Sequence, residues 1–176
     1  WSTPIQDLAF FRREARTPPG LCHVPPSVVV VVQGSKRMLV GEAAYAYDSD
    51  HFLVASHDVP ASSEVLEASP QRPCLGLVLK LDLRILAELV TQSSMPLPRD
   101  RSAQSGMARG ALTPTLLDCF GRLTALLDEP EAIPAIAPLI SRELHYRLLT
   151  SDQAGRLRQL ASVGSQSHLV TRAIDW

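Results

Sequence analysis

Five consecutive valines, Val28 to Val32, constrain the fold more than any other feature of this chain. Side chains branched at Cβ lose rotamer freedom in a helix and pack well on a pleated sheet, so residues 27–33 are predicted to form a strand. Successive side chains of a strand point to opposite faces, and here both faces are apolar. We therefore expect a strand that is buried on both sides.

Further short strands follow this one, separated by turn residues. They are predicted at residues 36–40, 43–47, 51–56, 62–68 and 74–81. Short strands at close spacing are typical of an antiparallel sandwich or barrel. Residues 1–26 precede them as a lead-in in which Pro18, Pro19, Gly20, Pro25 and Pro26 are expected to break regular structure.

The apolar period becomes helical after residue 82. Asp82 is the predicted N-cap of a helix at 83–90, and Thr113-Pro114 begins another that runs to Leu127. A third helix is predicted at 135–150, with Pro138 in its first turn, where a missing N–H costs little. Strands first and helices afterwards indicate an α+β domain: a β-barrel at 27–81 and a helical region at 82–150, with a mobile loop at 93–111.

The third helix carries an apolar stripe on one face. Either the barrel or another subunit must cover this stripe, because an apolar helix face is stable only when it is buried. The stripe consists of Ile136, Ile140, Leu144 and Leu148.

Composition excludes several classes of protein. The chain has 176 residues and a formal net charge of -1, which argues against a strongly basic nucleic-acid-coating protein and an acidic disordered tail. No apolar run approaches the roughly 20 residues of a membrane span, and no signal peptide is recognisable. Three cysteines without metal-ligand spacing indicate reduced thiols of a cytoplasmic protein. Because the chain starts at Trp1, we expect a fragment of a longer protein.

Motifs for catalysis and for cofactor binding are missing. The cupin metal pattern would require histidines where Tyr47 and Ser49 stand, and the five histidines are scattered. No nucleophile elbow or phosphate-binding glycine loop is present. We therefore predict no catalytic residue, metal or cofactor. A cupin-like metal-dependent enzyme with a non-standard ligand set is the alternative.

Polar side chains on apolar strands are the candidates for lining a barrel interior, where one small ligand could bind. Each of them could instead face solvent or a turn. The candidates are Gln33, Tyr45, Tyr47, His57, Glu64 and Glu67. Cys22 and Cys74 are candidate reactive thiols, with burial as small hydrophobes as the alternative.

An ordered series of segments resembles one known family. The strand ending Val-Gln-Gly-x-Lys-Arg, here residues 31–41, is the first of them. The series continues at 47–48, 52–54, 59–60, 67–73, 133–134, 137–140, 142–144, 146–149, 157–161 and 172–176. Together they are similar to the N-terminal effector-binding and dimerisation region of AraC/XylS-type bacterial transcription regulators.

This resemblance implies a metal-free, cupin-like barrel that binds a small-molecule effector, and helices that pair two subunits. The stripe of Ile136, Ile140, Leu144 and Leu148 would then form the homodimer contact. Residues 151–176 would be a linker into a helix-turn-helix DNA-binding domain beyond Trp176. The resemblance names no effector and does not separate activator from repressor. A barrel with a filled interior that only dimerises is a third interpretation.

Overall fold

The computed structural model describes residues 1–56, 59–93 and 106–162. The predicted α+β class is confirmed, with antiparallel strands first and helices mostly after them. The strands of the described ranges are β1 (Leu8–Arg13), β2 (Thr17–Val24), β3 (Ser27–Gln33), β4 (Ser35–Val40), β5 (Ala43–Tyr47), β6 (His51–Ala55), β7 (Val59–Glu67), β8 (Cys74–Lys80) and β9 (Met107–Ala111).

These strands form two antiparallel sheets. The first sheet has the order β1-β8-β3-β6-β9 and the second the order β2-β7-β4-β5. The valine run occupies the centre of the first sheet, paired with β6 and β8. Val28 and Val30 face the helices and Val29 and Val31 face the second sheet, so the prediction of burial on both faces is confirmed. Val32 departs from it, because half of its surface is exposed (53%).

The expectation that prolines exclude regular structure from residues 1–26 is wrong. Both β1 and β2 lie in this segment, and both are edge strands. Pro18 and Pro19 stand where the register of β2 shifts against β7, between Thr17 and Gly20. Proline lacks an N–H to donate to a ladder, and an edge strand at an irregularity is where that loss is tolerated.

The predicted loop at 93–111 also contains a strand. Its last residues form β9, which pairs with β6 and completes one edge of the first sheet. Residues 94–105 lie outside the described residues.

Four helices occupy the rest of the described chain. They are α1 (Leu83–Gln92), α2 (Pro114–Ala125), α3 (Ile133–Leu149) and α4 (154–162), with two 3-10 turns, Leu126–Asp128 and Pro130–Ala132, before α3. Both predicted N-caps are confirmed: the Asp82 carboxylate accepts from the backbone N–H groups of Arg84 and Ile85, and the Thr113 hydroxyl accepts from that of Leu116. No helix in these ranges is both long and apolar enough to cross a membrane.

Pro138 does not lie in the first turn of α3. The helix begins at Ile133, two residues before its predicted start, so Pro138 is inside it and Pro134 takes the N-terminal position. The 3-10 turn at Pro130–Ala132 leads directly into α3 and moves its start toward the N-terminus.

The core has two layers separated by the first sheet. The outer layer lies between this sheet and the helices, and the inner layer lies between the two sheets. The outer layer includes Val28, Val30, Phe52, Val54, Leu77, Leu79, Leu86, Leu116, Leu123, Ile140, Leu144 and Leu148. The inner layer includes Val29, Val31, Met38, Tyr47, Leu53, Val65, Cys74 and Met107.

The apolar stripe of α3 belongs to the outer layer. Ile140, Leu144 and Leu148 are buried within this chain, whereas Ile136 is 40% exposed. The assignment of the first three to a dimer contact is therefore wrong, because the sheet and the neighbouring helices already cover them. The periodicity of the sequence showed correctly that this face of α3 is buried. It could not show whether the same chain or a second subunit buries it.

Candidate functional site

The predicted ligand-binding residues separate into three groups. Tyr47 and Cys74 are part of the inner core layer, and Cys22 and Tyr45 pack against it from β2 and β5. Gln33 and Glu64 are engaged elsewhere, and His57 lies outside the described residues.

Gln33 and Glu64 have structural partners. The Gln33 side-chain amide donates to the backbone oxygen of Pro73 (2.7 Å), which ties the end of β3 to the residue before β8. Glu64 forms an ion pair with Arg37 (2.7 Å) across the β4–β7 ladder. Glu64 alternates with the buried Val65 along β7, so this pair lies on the side of the sheet away from the inner layer. Neither side chain is available to hold a ligand between the sheets.

Strand register brings a lysine to the interior that the sequence analysis did not select. Lys36 of β4 is paired with Tyr47 of β5, and it alternates with the exposed-side residue Arg37. Its Nζ lies 4.5 Å from the centroid of the Phe11 ring, within the range of a cation–π contact. In the sequence, Lys36 and Met38 are two residues apart in one strand, so their side chains lie on the same face of the sheet. Met38 is a core residue in the structure.

Cys74 joins this group from the first sheet, where it pairs with Arg13 of β1. Cys22 lies on the opposite wall, with its Sγ 4.0 Å from the Sδ of Met38. We call Cys22, Lys36, Tyr47 and Cys74 the inner polar cluster. Four strands position it: β2, β4 and β5 of the second sheet and β8 of the first.

The Tyr47 hydroxyl is the most unusual group of the inner polar cluster. The residue is 1% exposed, and its hydroxyl has no hydrogen-bond partner in the described part of the chain. Burial raises the pKa of this phenol, so it is a neutral potential donor. A buried polar group without a partner is rare in folded proteins and calls for a functional or structural reason.

The inner polar cluster contains one basic side chain, Lys36, and no carboxylate. Burial is the main cause that lowers the pKa of Lys36, and Arg13 lowers it further, while the two thiols Cys74 and Cys22 oppose the shift. Burial raises the pKa of Cys74, against the influence of Lys36 and Arg13. No carboxylate forms an ion pair with Lys36 within the described ranges. The site therefore combines a weakly compensated cation with an unused hydroxyl donor in apolar surroundings.

Metal binding finds no support in the arrangement of side chains. Across residues 1–56, 59–93 and 106–162, no three histidine, cysteine, aspartate or glutamate side chains come together in a way that could hold a metal ion.

A cavity of about 540 Å³ lies elsewhere, between the outer face of the first sheet and α2. Its lining includes Phe10, Val30, Leu77 and Phe120, which belong to or pack against the outer core layer. This cavity and the inner polar cluster thus lie on opposite faces of the first sheet, and the Phe11 ring of the edge strand β1 borders both. The inner polar cluster holds the unsatisfied polar chemistry, so we take it as the candidate effector site.

Comparison with known proteins gives one family match. The model of a family described as the AraC-type transcriptional regulator N-terminus matches residues 4–156. No curated protein sequence matches the chain.

Solved structures with a similar fold come from ToxT of Vibrio cholerae. The apo form of a ToxT variant from strain SCE256 has a TM-score of 0.56 and 6% identity, and the match covers 82% of this chain and 56% of that one. ToxT of strain O395 bound to (E)-4-(8-methylnaphthalen-1-yl)but-3-enoic acid has a TM-score of 0.53 and 7% identity, with coverage of 84% and 58%. The chain therefore spans little more than half the length of these structures.

Proposed function

Because the chain belongs to the family of AraC-type transcriptional regulator N-termini, we propose that it senses a small-molecule effector held between its two sheets. One observation supports this proposal above the others: among the described residues, the buried Tyr47 hydroxyl has no hydrogen-bond partner, and the neighbouring Lys36 has no carboxylate in an ion pair with it. Leaving such groups unsatisfied is costly in a protein that binds nothing there. A bound ligand would satisfy both.

The chemistry of the site favours an effector with an acidic group on an apolar body. A carboxylate would accept from the Lys36 ammonium and from the Tyr47 hydroxyl, in hydrogen bonds strengthened by charge. The Phe11 ring, Met38 and Val65 would contact the apolar remainder. The ligand named for the ToxT structure of strain O395 is also an organic acid with an apolar body, and we extend that ligand class to this chain as part of the proposal.

Central strands of the first sheet would carry the effector signal to the helices. Strand β3 presents Val29 and Val31 to the effector side and Val28 and Val30 to the helices. A ligand shifts an equilibrium only if it binds two arrangements with different affinity. We propose that the two arrangements differ in how α2 and α3 sit on this sheet, and that a DNA-binding domain following the chain reads the difference.

Homodimerisation remains part of this proposal, on a different set of side chains. The outer side of α3 exposes Ile136 (40%), Leu139 (65%) and Tyr146 (40%). Exposed apolar groups on one helix are candidates for contact with a second subunit. The partners would be the effector, a second copy of the chain and, through the further domain, DNA. The cytoplasm is the predicted location.

Binding of organic acids tests the proposal directly. We would measure the thermal midpoint and the calorimetric heat of binding with octanoate, benzoate and cinnamate, each against its neutral amide. We expect one of the acids, and not its amide, to bind and to raise the midpoint. Lys36→Met and Tyr47→Phe should each weaken that binding about tenfold, as the loss of one charged or neutral hydrogen bond predicts.

Lys80→Met is the matched control, because Lys80 is the other lysine of the chain and is exposed at the end of β8. It should bind the acid like the wild type. Equal loss of binding in all three variants, or acid binding that survives Lys36→Met and Tyr47→Phe unchanged, would move the effector away from the inner polar cluster.

A further inference from the structure

The cavity on the outer face of the first sheet is an apolar cleft. We call it the outer cleft; it is lined by Trp1, Phe10, Phe11, Val30, Val32, Leu75, Gly76, Leu77, Leu117, Phe120, Gly121 and Thr124. Its floor consists of core residues, since Val30, Leu77 and Phe120 are all buried. Its rim exposes Trp1 (77%), Val32 (53%) and Leu117 (49%). The cleft therefore enters the outer core layer and is not a flat surface patch.

The outer cleft lies between two walls, the first sheet and helix α2. One wall is the first sheet, where Phe10 of β1 is paired with Leu77 of β8, and Leu77 with Val30 of β3. The backbone N–H of Phe10 also donates to the oxygen of Trp1 (2.8 Å), which holds the rim beside the sheet. The other wall is α2, where Gly121 contributes no side chain, and a Cβ built there would meet nothing within 4 Å.

Polar groups are almost absent from this lining. The hydroxyl of Thr124 donates to the backbone oxygen of Gly121 (2.9 Å), so its hydrogen is already used. The indole N–H of Trp1 belongs to the exposed rim. A ligand that needs hydrogen bonds or a counter-charge would lose them here, since burying an unpaired polar group is costly.

We propose that the outer cleft is a second binding site, which takes a neutral apolar small molecule of hydrocarbon or aromatic character. A volume of about 540 Å³ is the size of a site for a small organic ligand. A polypeptide is a poorer occupant, because its backbone N–H and C=O groups would find no partners in the lining. This site opens on the other face of the first sheet from the inner polar cluster, and Phe11 is the residue that contacts both.

Occupancy of the outer cleft would act on the helical layer. Arg122, next to Gly121 on α2, donates to Glu143 of α3 (2.6 Å), and Glu143 also accepts from Arg147. A ligand wedged between the sheet and α2 would fix the position of α2, and the ion pair of Arg122 with Glu143 connects α2 with α3.

Substitutions that place a side chain at Gly121, and so inside the outer cleft, test this proposal. The probe is N-phenyl-1-naphthylamine, a neutral fluorophore whose emission rises in apolar surroundings. We expect saturable binding to the wild-type chain, slightly weaker binding to Gly121→Ala, and a dissociation constant raised about tenfold or more in Gly121→Leu, whose side chain would occupy ligand space.

Gly155→Leu is the matched control, because a Cβ at Gly155 of α4 also meets nothing within 4 Å and this residue does not line the cleft. It should bind the probe like the wild type. The proposal is overturned if the wild type shows no saturable binding, or if Gly121→Leu and Gly155→Leu bind the probe equally. It is also overturned if Gly121→Leu changes only the association state of the chain, which would make a second copy the occupant.

Discussion

His145 of α3 and Asp82, the N-cap of α1, are joined by a hydrogen bond in which the backbone N–H of Asp82 donates to Nε2 of the imidazole (3.0 Å). The other ring nitrogen, Nδ1, lies 2.7 Å from the carbonyl oxygen of Ser141. A carbonyl accepts and an amide N–H donates, so the ring is neutral with its proton on Nδ1. The imidazole is 1% exposed and connects two helices inside the outer core layer.

Stability of the chain should therefore depend on pH through His145. Burial lowers the pKa of its imidazole below the ordinary value of 6.5, against weaker influences from Ser141 and Asp82. The unfolded chain then takes up this proton at a higher pH than the folded chain does. We expect the unfolding free energy to be largest above about pH 6.5 and to fall below it, by at most about 1.4 kcal/mol per pH unit for one proton.

Urea unfolding between pH 5.5 and 8 measures this dependence, in a range above the titration of ordinary carboxylates. His145→Gln cannot take up the proton. Its unfolding free energy is expected to be lower throughout and to change less with pH than that of the wild type. A wild type and a variant with equal slopes would assign the pH dependence to another histidine.

The two sides of α3 should respond differently to substitution. Leu144 is fully buried, so Leu144→Ala leaves a cavity and is expected to lower the unfolding free energy by about 2–5 kcal/mol. Leu139 is 65% exposed, so Leu139→Asp should leave the unfolding free energy nearly unchanged while it weakens self-association. Urea unfolding and sedimentation velocity at several concentrations measure the two effects.

Leu21→Asp is the control for the second effect, because Leu21 is 93% exposed on β2, far along the chain from α3. This variant should associate like the wild type. Chains that stay monomeric at high concentration, or an equal effect of the two aspartates, would exclude the outer side of α3 as the dimer contact.

The sequence predicted correctly those strands and helix starts that depend only on residues close to them in the chain. The valine run and the 43–47 strand agree with β3 and β5, and the capping residues Asp82 and Thr113 begin their helices. These features act within a few residues, through rotamer restriction and side chain-to-backbone hydrogen bonds. No tertiary information is needed to interpret them.

Features that depend on tertiary pairing were missed. Pro18 and Pro19 lie in a strand because β2 is an edge, and nothing local says which strand will be an edge. Lys36 faces the interior because of the register between β4 and β5, whereas a lysine in a short strand is ordinarily assigned to solvent. Of the predicted ligand residues, Tyr47 and Cys74 lie in the inner core layer, and Gln33 and Glu64 have structural partners instead.

A glycine-to-alanine change should lower the unfolding free energy at one position, Gly76, and raise it at another, Gly121. A Cβ at Gly76 of β8 would overlap the backbone oxygen of Val30 and the ring of Phe11, so Gly76→Ala is expected to destabilise the chain by about 1–3 kcal/mol. At Gly121 of α2 there is open space, and alanine is the better helix former, so Gly121→Ala should stabilise it by about 0.5–1 kcal/mol. Urea unfolding of both variants checks the signs, and two destabilised variants would contradict the open space at Gly121.

Removal of the Tyr47 hydroxyl should stabilise the unliganded chain, although we expect the same change to weaken binding of the proposed effector. The hydroxyl is buried without a partner in the described part of the chain, and Tyr47→Phe removes it while keeping the ring. The desolvation cost of an unsatisfied hydroxyl predicts a gain of about 1 kcal/mol in unfolding free energy without ligand.

Tyr146→Phe is the control, because Tyr146 is 40% exposed and its hydroxyl should contribute little. Calorimetric unfolding with and without the bound acid separates the two effects. A Tyr47→Phe chain that is less stable than the wild type without ligand would mean that the hydroxyl already has a partner, and the reason for placing the effector beside it would be lost.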